Sequence, residues 1–502
     1  HGLSVICPEF CADSDIFIVH MHQDGGAVLP VGSMQRREHR MVSRAPSLSR
    51  PGTWAGKKNK HRGRMMHVAS VPSPSAVDRL DATFRKVAAR VVPYIFVCYL
   101  FNYLDRVNVG FAKLDMLDAL HMSERAYGLG AGIFFLGYIA CGVPSNLMLQ
   151  RVGARRWLAM IMIMWGLLSA AQMFVAGPAS FYLLRFVTGA AEAGFFPGLV
   201  LYLTRWFPSE RQGRALTLFM SAIPLSGVVG GPLSGWMLSH FAAAPGGLAA
   251  WQWLFLLQGL PTVALGIGMV MLLSDTIEQA AWLGPQERAA VGEALRRDRL
   301  EQPKQLADNF GAVLRNPAVW MLGLLYFCIQ ASVYAINFWL PTIIRSSGIH
   351  DAATIGWLSA VPYVGASLFM IVMGRSADRM RERRWHLAVP LLMAAAGLAL
   401  AARFPDSMPV ALGALTVATA GALTGLPMFW PLCNGYLSPA AAAGGLALIN
   451  SMGQLAGFVS PYLVGWVKDA TQRTDGALAL LAAMAVLGVV VVLRMPPSRG
   501  NR

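Results

Sequence analysis

Asp105, Arg106, Arg185 and Glu192 stand inside stretches so apolar that they read as membrane spans. An ionised side chain at the centre of a bilayer costs roughly 3 to more than 10 kcal/mol, depending on the reference state. It persists where it pairs, lines a wet cavity, or handles an ion or charged solute. Two carboxylates and two guanidiniums supply two kinds of chemistry. A carboxyl near the midplane has its proton affinity raised by desolvation and lowered by a neighbouring guanidinium. A guanidinium stays charged and grips a carboxylate through a planar, bidentate fork. The same charges can instead neutralise one another, Asp105 with Arg185 and Arg106 with Glu192, as structural glue. All four lie in the first half of the chain. The spans of the second half offer Gln330, Tyr334, Asn337, Asn434, Asn450 and Gln454. These suit the hydroxyls or second oxygen of an acid, or bind helix to helix.

The elements that must position these residues follow from the composition. Of 502 residues, 55% are hydrophobic and 14% charged, with a mean hydropathy of +0.48. No Asp, Glu, Lys or Arg occurs between Arg125 and Arg151, Arg156 and Arg185, or Arg214 and Asp275, and similar gaps recur in the second half. A span needs roughly 20 apolar residues to cross ~30 Å of hydrocarbon, so the longest blocks each fold back once. The expectation is an all-α membrane protein of about twelve transmembrane helices, near 90–110, 126–149, 157–176, 180–204, 213–239, 251–273, 318–344, 353–374, 386–403, 408–432, 444–467 and 476–494.

At ~1.5 Å rise per residue, Arg185 lies about 8 Å into span four, level with Asp105 and Arg106 of span one. Glu192 is two turns deeper on the same helix face. Tyr103 and Tyr138 fall at middle depths, which makes one polar column, as an alternating-access site requires.

Two basic turns organise the whole. Gln150-Arg151-Val152-Gly153-Ala154-Arg155-Arg156 follows the second span, and Gly374-Arg375-Ser376-Ala377-Asp378-Arg379 follows the eighth. They stand six spans apart, which marks two six-helix halves. The domains expected are a basic extension over 1–86, a first half over 87–274, a central loop over 275–316, and a second half over 317–502. Lys and Arg concentrate in one set of loops, putting both termini and the central loop in the cytoplasm. The opposite loops hold only scattered cases such as Lys113 and Arg345. Gly227, Gly231 and Gly235, with Pro232, permit close helix approach in span five.

The leading segment begins at His1 and carries the run Lys57-Lys58-Asn59-Lys60-His61-Arg62-Gly63-Arg64. It reads as a solvated cytoplasmic tail or as translated sequence ahead of a start at Met65 or Met66, and less readily as a nucleic-acid arm. No signal peptide is expected in it. Cys7 and Cys11 lack a second ligand pair for zinc, and the cysteines build no disulfide framework.

Several segments together resemble the major facilitator superfamily, and within it the anion:cation symporter family of bacterial organic-acid and sugar-acid permeases. They are Tyr103-Leu104-Asp105-Arg106-Val107-Asn108-Val109-Gly110, Arg151 to Trp157, Arg185-Phe186 through Glu192-Ala193-Gly194-Phe195-Phe196-Pro197-Gly198, Phe338-Trp339-Leu340-Pro341-Thr342 and Ala447-Leu448-Ile449-Asn450-Ser451. The resemblance implies uptake of a carboxylate, such as a sugar acid or a tartrate- or phthalate-like anion, with protons. It implies that Asp105 and Glu192 form the proton-coupling pair, and that Tyr103, Arg106, Tyr138 and Arg185 serve the anion. Asn337 and Asn450 join them as substrate ligands because they stand within or beside matching segments.

The expected protein is thus a proton-coupled symporter of a small organic anion in the bacterial inner membrane, probed against an exchanger of the same fold. A channel and a permease subunit of an ATP-driven system are the other classes to weigh. No G-x-x-x-x-G-K-[ST] and no H-E-x-x-H occurs, so neither an enzyme, a cofactor, a metal nor a nucleic-acid partner is expected, and the protein is expected to be a monomer.

Overall fold

A computed structural model describes residues 74–301, 310–380, 382–434, 436 and 442–495. The basic run, Cys7 and Cys11 lie outside the described residues, as does the side chain of Asn434. Among the described residues the secondary structure is helical throughout, without strands. The first six spans are built by α1 (Pro74–Leu120), α2 (Glu124–Val152), α3 (Ala154–Ala171), α4 (Pro178–Glu192) with α5 (Phe195–Thr204), α6 (Ser209–Met220) with α7 (Ala222–His240), and α8 (Ala250–Leu272). Between the halves lie α9 (Pro285–Glu301) and α10 (Phe310–Arg315). The last six are α11 (Pro317–Ser346), α12 (Ala352–Met380), α13 (Trp385–Arg403), α14 (Met408–Asn434), α15 (Ala442–Thr471) and α16 (Asp475–Arg494). Among the described residues, eleven spans are long and apolar enough to cross a membrane. The remaining long helix, α15, has 30 residues but carries Asn450, Gln454, Lys468 and Asp469, which lower its hydropathy.

Three differences from the sequence reading bear on the site. First, α1 has 47 residues and continues past the expected end at 110, so Lys113 is not in a loop: it lies inside the helix and is 3% exposed. Second, span four is broken directly after Glu192. Ala193 is extended (φ −56°, ψ 131°), and Gly194 is left-handed (φ 88°) before α5 starts at Phe195. Pro197 in the first turn of α5 has no N–H to donate, which suits a helix start and not a helix interior. Third, Gly374 to Arg379 are the last turns of α12 and not a separate tight turn, whereas Gly153 (φ 95°) does form the α2–α3 junction. There Asp275 accepts from the backbone N–H of Arg155 at 3.0 Å and pairs with Arg205 at 3.5 Å.

The two sets of spans meet along α1 with α11, α2 with α15, and α7 with α12. Glycines set these distances. A Cβ on Gly128 would stand 2.4 Å from the carbonyl of Pro461, and one on Gly235 would stand 2.4 Å from that of Ala352. Both contacts lie toward the end of the bundle that the arginine count assigns to the outside, here termed the predicted outer end. At the other end α9 lies against the first six spans. Val291 and Leu295 are buried, Trp206 stacks on Trp282, and Lys86 pairs with Glu287 at 2.8 Å. That hydrogen bond from Lys86 holds the Glu287 carboxyl below its usual range.

Candidate functional site

Arg106 and Asp105 are neighbours on α1, so their side chains diverge by about 100° and reach different helices. Arg106 turns to α4, where its Nε donates to Glu192 Oε1 at 3.2 Å and its Nη2 donates to the same oxygen. Its guanidinium lies 5.1 Å from the ring of Tyr103, 5.6 Å from Phe134 and 5.8 Å from Tyr138. Asp105 faces α3. Its Oδ1 accepts from Ser169 Oγ at 3.2 Å and from Asn108 Nδ2 at 3.2 Å, while Oδ2 is buried with no hydrogen-bond partner.

Arg185 is 2% exposed, and its Nε and Nη2 have no hydrogen-bond partner. These two nitrogens form the guanidinium edge that grips a carboxylate side-on, the edge by which Arg106 holds Glu192. The ring of Phe134 covers Arg185 at 4.5 Å. Of the two neutralising pairs read from the sequence, Arg106 with Glu192 forms, and no ion pair joins Asp105 to Arg185.

The second half closes the site with hydroxyls. Tyr334, on α11, stands within electrostatic reach of Arg106, Tyr103, Tyr138 and Glu192. Its hydroxyl donates to Gln454 Oε1 at 3.0 Å. Tyr326 stacks on Phe429 and lies 5.1 Å from Trp430. Asn337 looks elsewhere: its Oδ1 accepts from Tyr363 OH at 2.7 Å, beside the α7–α12 contact, where Gly227 leaves room for the Tyr363 ring. Asn450 is half-buried, with no hydrogen bond to Arg106, Arg185 or Glu192.

Above this column a second charged group spans the two halves at the predicted outer end. Glu124, on α2, pairs with Lys113 of α1 and with Lys468 of α15. Asp469 accepts from the backbone N–H groups of Glu124 at 3.1 Å and Arg125 at 2.9 Å, so a carboxylate from α15 caps the start of α2. Lys113 Nζ also donates to Thr342 Oγ1 at 3.0 Å and sits 3.5 Å from the ring of Trp339.

The family model described as Major Facilitator Superfamily matches residues 95–461 and 348–501. The chain belongs to the major facilitator superfamily. This facilitator is similar to a protein of Pseudomonas putida named for metabolite transport, NicT, at 46% identity over 84% of this chain and 96% of the relative. It is 42% identical to a protein of Agrobacterium vitis named for tartrate transport, over 82% of this chain and 90% of that one. Its fold is shared with the xylose transporter XylE from E. coli, solved in a partially occluded inward-open conformation, with a TM-score of 0.64 at 14% identity over 83% of this chain and 99% of that one. The protein is a multi-pass membrane transporter and not an enzyme.

In this facilitator Tyr103, Arg106, Tyr138 and Glu192 come together and Arg185 stands behind Phe134, while Asp105 is turned to α3 and Asn337 to α12. Phe134, Tyr127 and the Lys113–Glu124–Lys468–Asp469 group were not singled out from the sequence. Two spacings carried a signal. Lys113 is seven residues after Arg106, hence on the same face of α1 two turns further on, and Phe134 is four before Tyr138 on α2.

Proposed function

We propose that this facilitator is a proton-coupled symporter of a small organic anion, working by alternating access. The observation that carries the reading is Arg185, whose gripping edge is buried and without a partner. A buried charge left uncompensated costs several kcal/mol, and a bound carboxylate removes that cost. The relative named for tartrate transport supports an organic acid as the ligand. Glu192 supplies the coupling. While the site is empty it is the counter-ion of Arg106. An anion that takes Arg106 leaves the Glu192 carboxylate buried and unpaired, and a proton then neutralises it. Asp105, with one buried oxygen unpartnered, is the second proton carrier. Tyr103, Tyr138 and Tyr334 orient the anion, and the excess of Lys and Arg in one set of loops supports cytoplasmic termini in a bacterial inner membrane.

Uptake of labelled carboxylates into proteoliposomes under an imposed inward proton gradient tests this. The parent protein is expected to accumulate the transported acid. Glu192→Gln, which imitates the protonated carboxyl, is expected to keep exchange between two loaded sides and to lose accumulation. Accumulation by Glu192→Gln equal to that of the parent overturns the coupling role. A parent that exchanges but never accumulates is an exchanger.

A further inference from the structure

Phe134 has no role in the mechanism above, yet both arginines lie against its ring. The ring is 1% exposed, 4.5 Å from the Arg185 guanidinium carbon and 5.6 Å from that of Arg106. Arg106 is already engaged by Glu192, whereas the gripping edge of Arg185 is free. Arg185 also lies toward the predicted outer end, four residues after Phe181, whose ring stacks on that of Tyr127. Tyr127 in turn lies 5.0 Å from Lys113 Nζ of the outer charged group.

We infer that Arg185 is a separate outer station for a carboxylate, and that Phe134 is a positioning residue whose ring partitions it from the Arg106 station. The inference rests on the anion reading of the site.

The backbones on either side of the ring are in direct contact. A Cβ on Gly189 would stand 1.9 Å from the Phe134 carbonyl, and one on Gly137 would stand 2.1 Å from that of Phe186. With α2 and α4 packed this closely, the partition opens by rotation of the ring and not by a further approach of the two helices. The space for that rotation is controlled from the other half. Phe135, edge-on to Phe134 at 5.1 Å, is held by Tyr334 at 4.4 Å and by Phe338 at 6.3 Å, both on α11. With the outer end closed, these contacts clamp Phe135 and hence Phe134. When the halves part there, Phe135 loses its neighbours and the ring is free to swing. A carboxylate then passes from Arg185 to Arg106, and closure bars its return.

Phenylglyoxal, which modifies guanidinium groups, tests the partition without knowledge of the substrate. The purified full chain is labelled, and modification of Arg185, Arg106 and the exposed Arg297 is quantified by mass spectrometry, with acetate as the probe carboxylate. Phe134→Ala is expected to raise labelling of Arg185 several-fold over the parent, relative to both Arg106 and Arg297. Phe134→Leu, which keeps bulk without the aromatic face, is expected to label as the parent does. Acetate is expected to slow the labelling of Arg185 in Phe134→Ala. An unchanged Arg185 rate in Phe134→Ala, an equal rise at Arg106 that signals general loosening, or a Leu variant as reactive as Ala each overturns the partition. Exposure of Arg185 without protection by acetate overturns the anion station, and with it the reading of the site as an anion site.

Discussion

At the residue scale, the site is a contest for two guanidiniums. Arg106 is satisfied by Glu192 through two nitrogens on one oxygen, and Arg185 presents the same edge unfilled. A hydrogen bond to a charged group contributes about 1.5–3 kcal/mol, so losing the fork should weaken anion binding roughly ten-fold to a hundred-fold. Arg185→Lys keeps the charge and removes the fork. Calorimetric titration with the transported carboxylate is expected to show that loss in a protein with an unchanged melting temperature. Equal affinity would reassign Arg185 to packing. The ionisable members of the site were legible because an Arg or Glu in a hydrocarbon span has few bland explanations. The neutral members were not. Every residue of α11 from Gln330 to Ile344 is buried, so burial leaves no face to read. Asn337 and Tyr334, three residues apart on that helix, end on different business: one holds Tyr363 and the other donates to Gln454 of α15.

At the element scale, the break between α4 and α5 sets where Glu192 sits, as the last residue of α4. Gly194 permits the break through its positive φ and through the absence of a Cβ that would meet Ser145 Oγ at 2.2 Å. A non-glycine residue in that backbone conformation costs of order 1–3 kcal/mol. Gly194→Ala is therefore expected to lower the melting temperature and impair transport. Adding Ser145→Ala should restore only part, because the Cβ of residue 145 still lies 2.8 Å from the new methyl group. Full rescue by the double variant would mean that the hydroxyl alone, and not the backbone, makes glycine necessary. The expected span 180–204 gave no sign of this interruption, since Gly and Pro are common within intact membrane helices. The long reach of α1 was hidden for a related reason. Lys113 looks like the edge of a span by charge, and only its partners on α2 and α11 explain why the helix carries it inside.

At the scale of the whole molecule, Glu124 joins the halves by standing between two ammonium groups, one from each. Removing one member of a buried ion pair costs about 3–5 kcal/mol, somewhat less here because the Glu124 side chain is 22% exposed. Glu124→Gln removes the carboxylate that pairs with both Lys113 and Lys468, while Asp469 stays at the start of α2. The predicted outer end should then open, and spin labels placed on the first turn of α2 and the last turn of α15 should move apart in pulsed electron-resonance distances. Unchanged distances would assign closure to the glycine contacts at Gly128 and Gly235. The spans were legible from the charge-free blocks, their division into two sets of six from two basic segments six spans apart, and the close approach of span five from Gly227, Gly231 and Gly235. Which ends touch was not, because it depends on pairs such as Glu124 and Lys468 that lie 344 residues apart.

Trp339 lies against both of those ammonium groups, 3.5 Å from Lys113 and 5.7 Å from Lys468. The emission energy of an indole responds to charge near its ring, and Lys113, which belongs to the other half, departs with α1 whenever that end opens. The difference in fluorescence between the parent and Trp339→Phe isolates this one indole from the other tryptophans. The protein therefore carries an intrinsic optical reporter, and its colour should follow the opening and closing of the cycle in real time, with no dye attached.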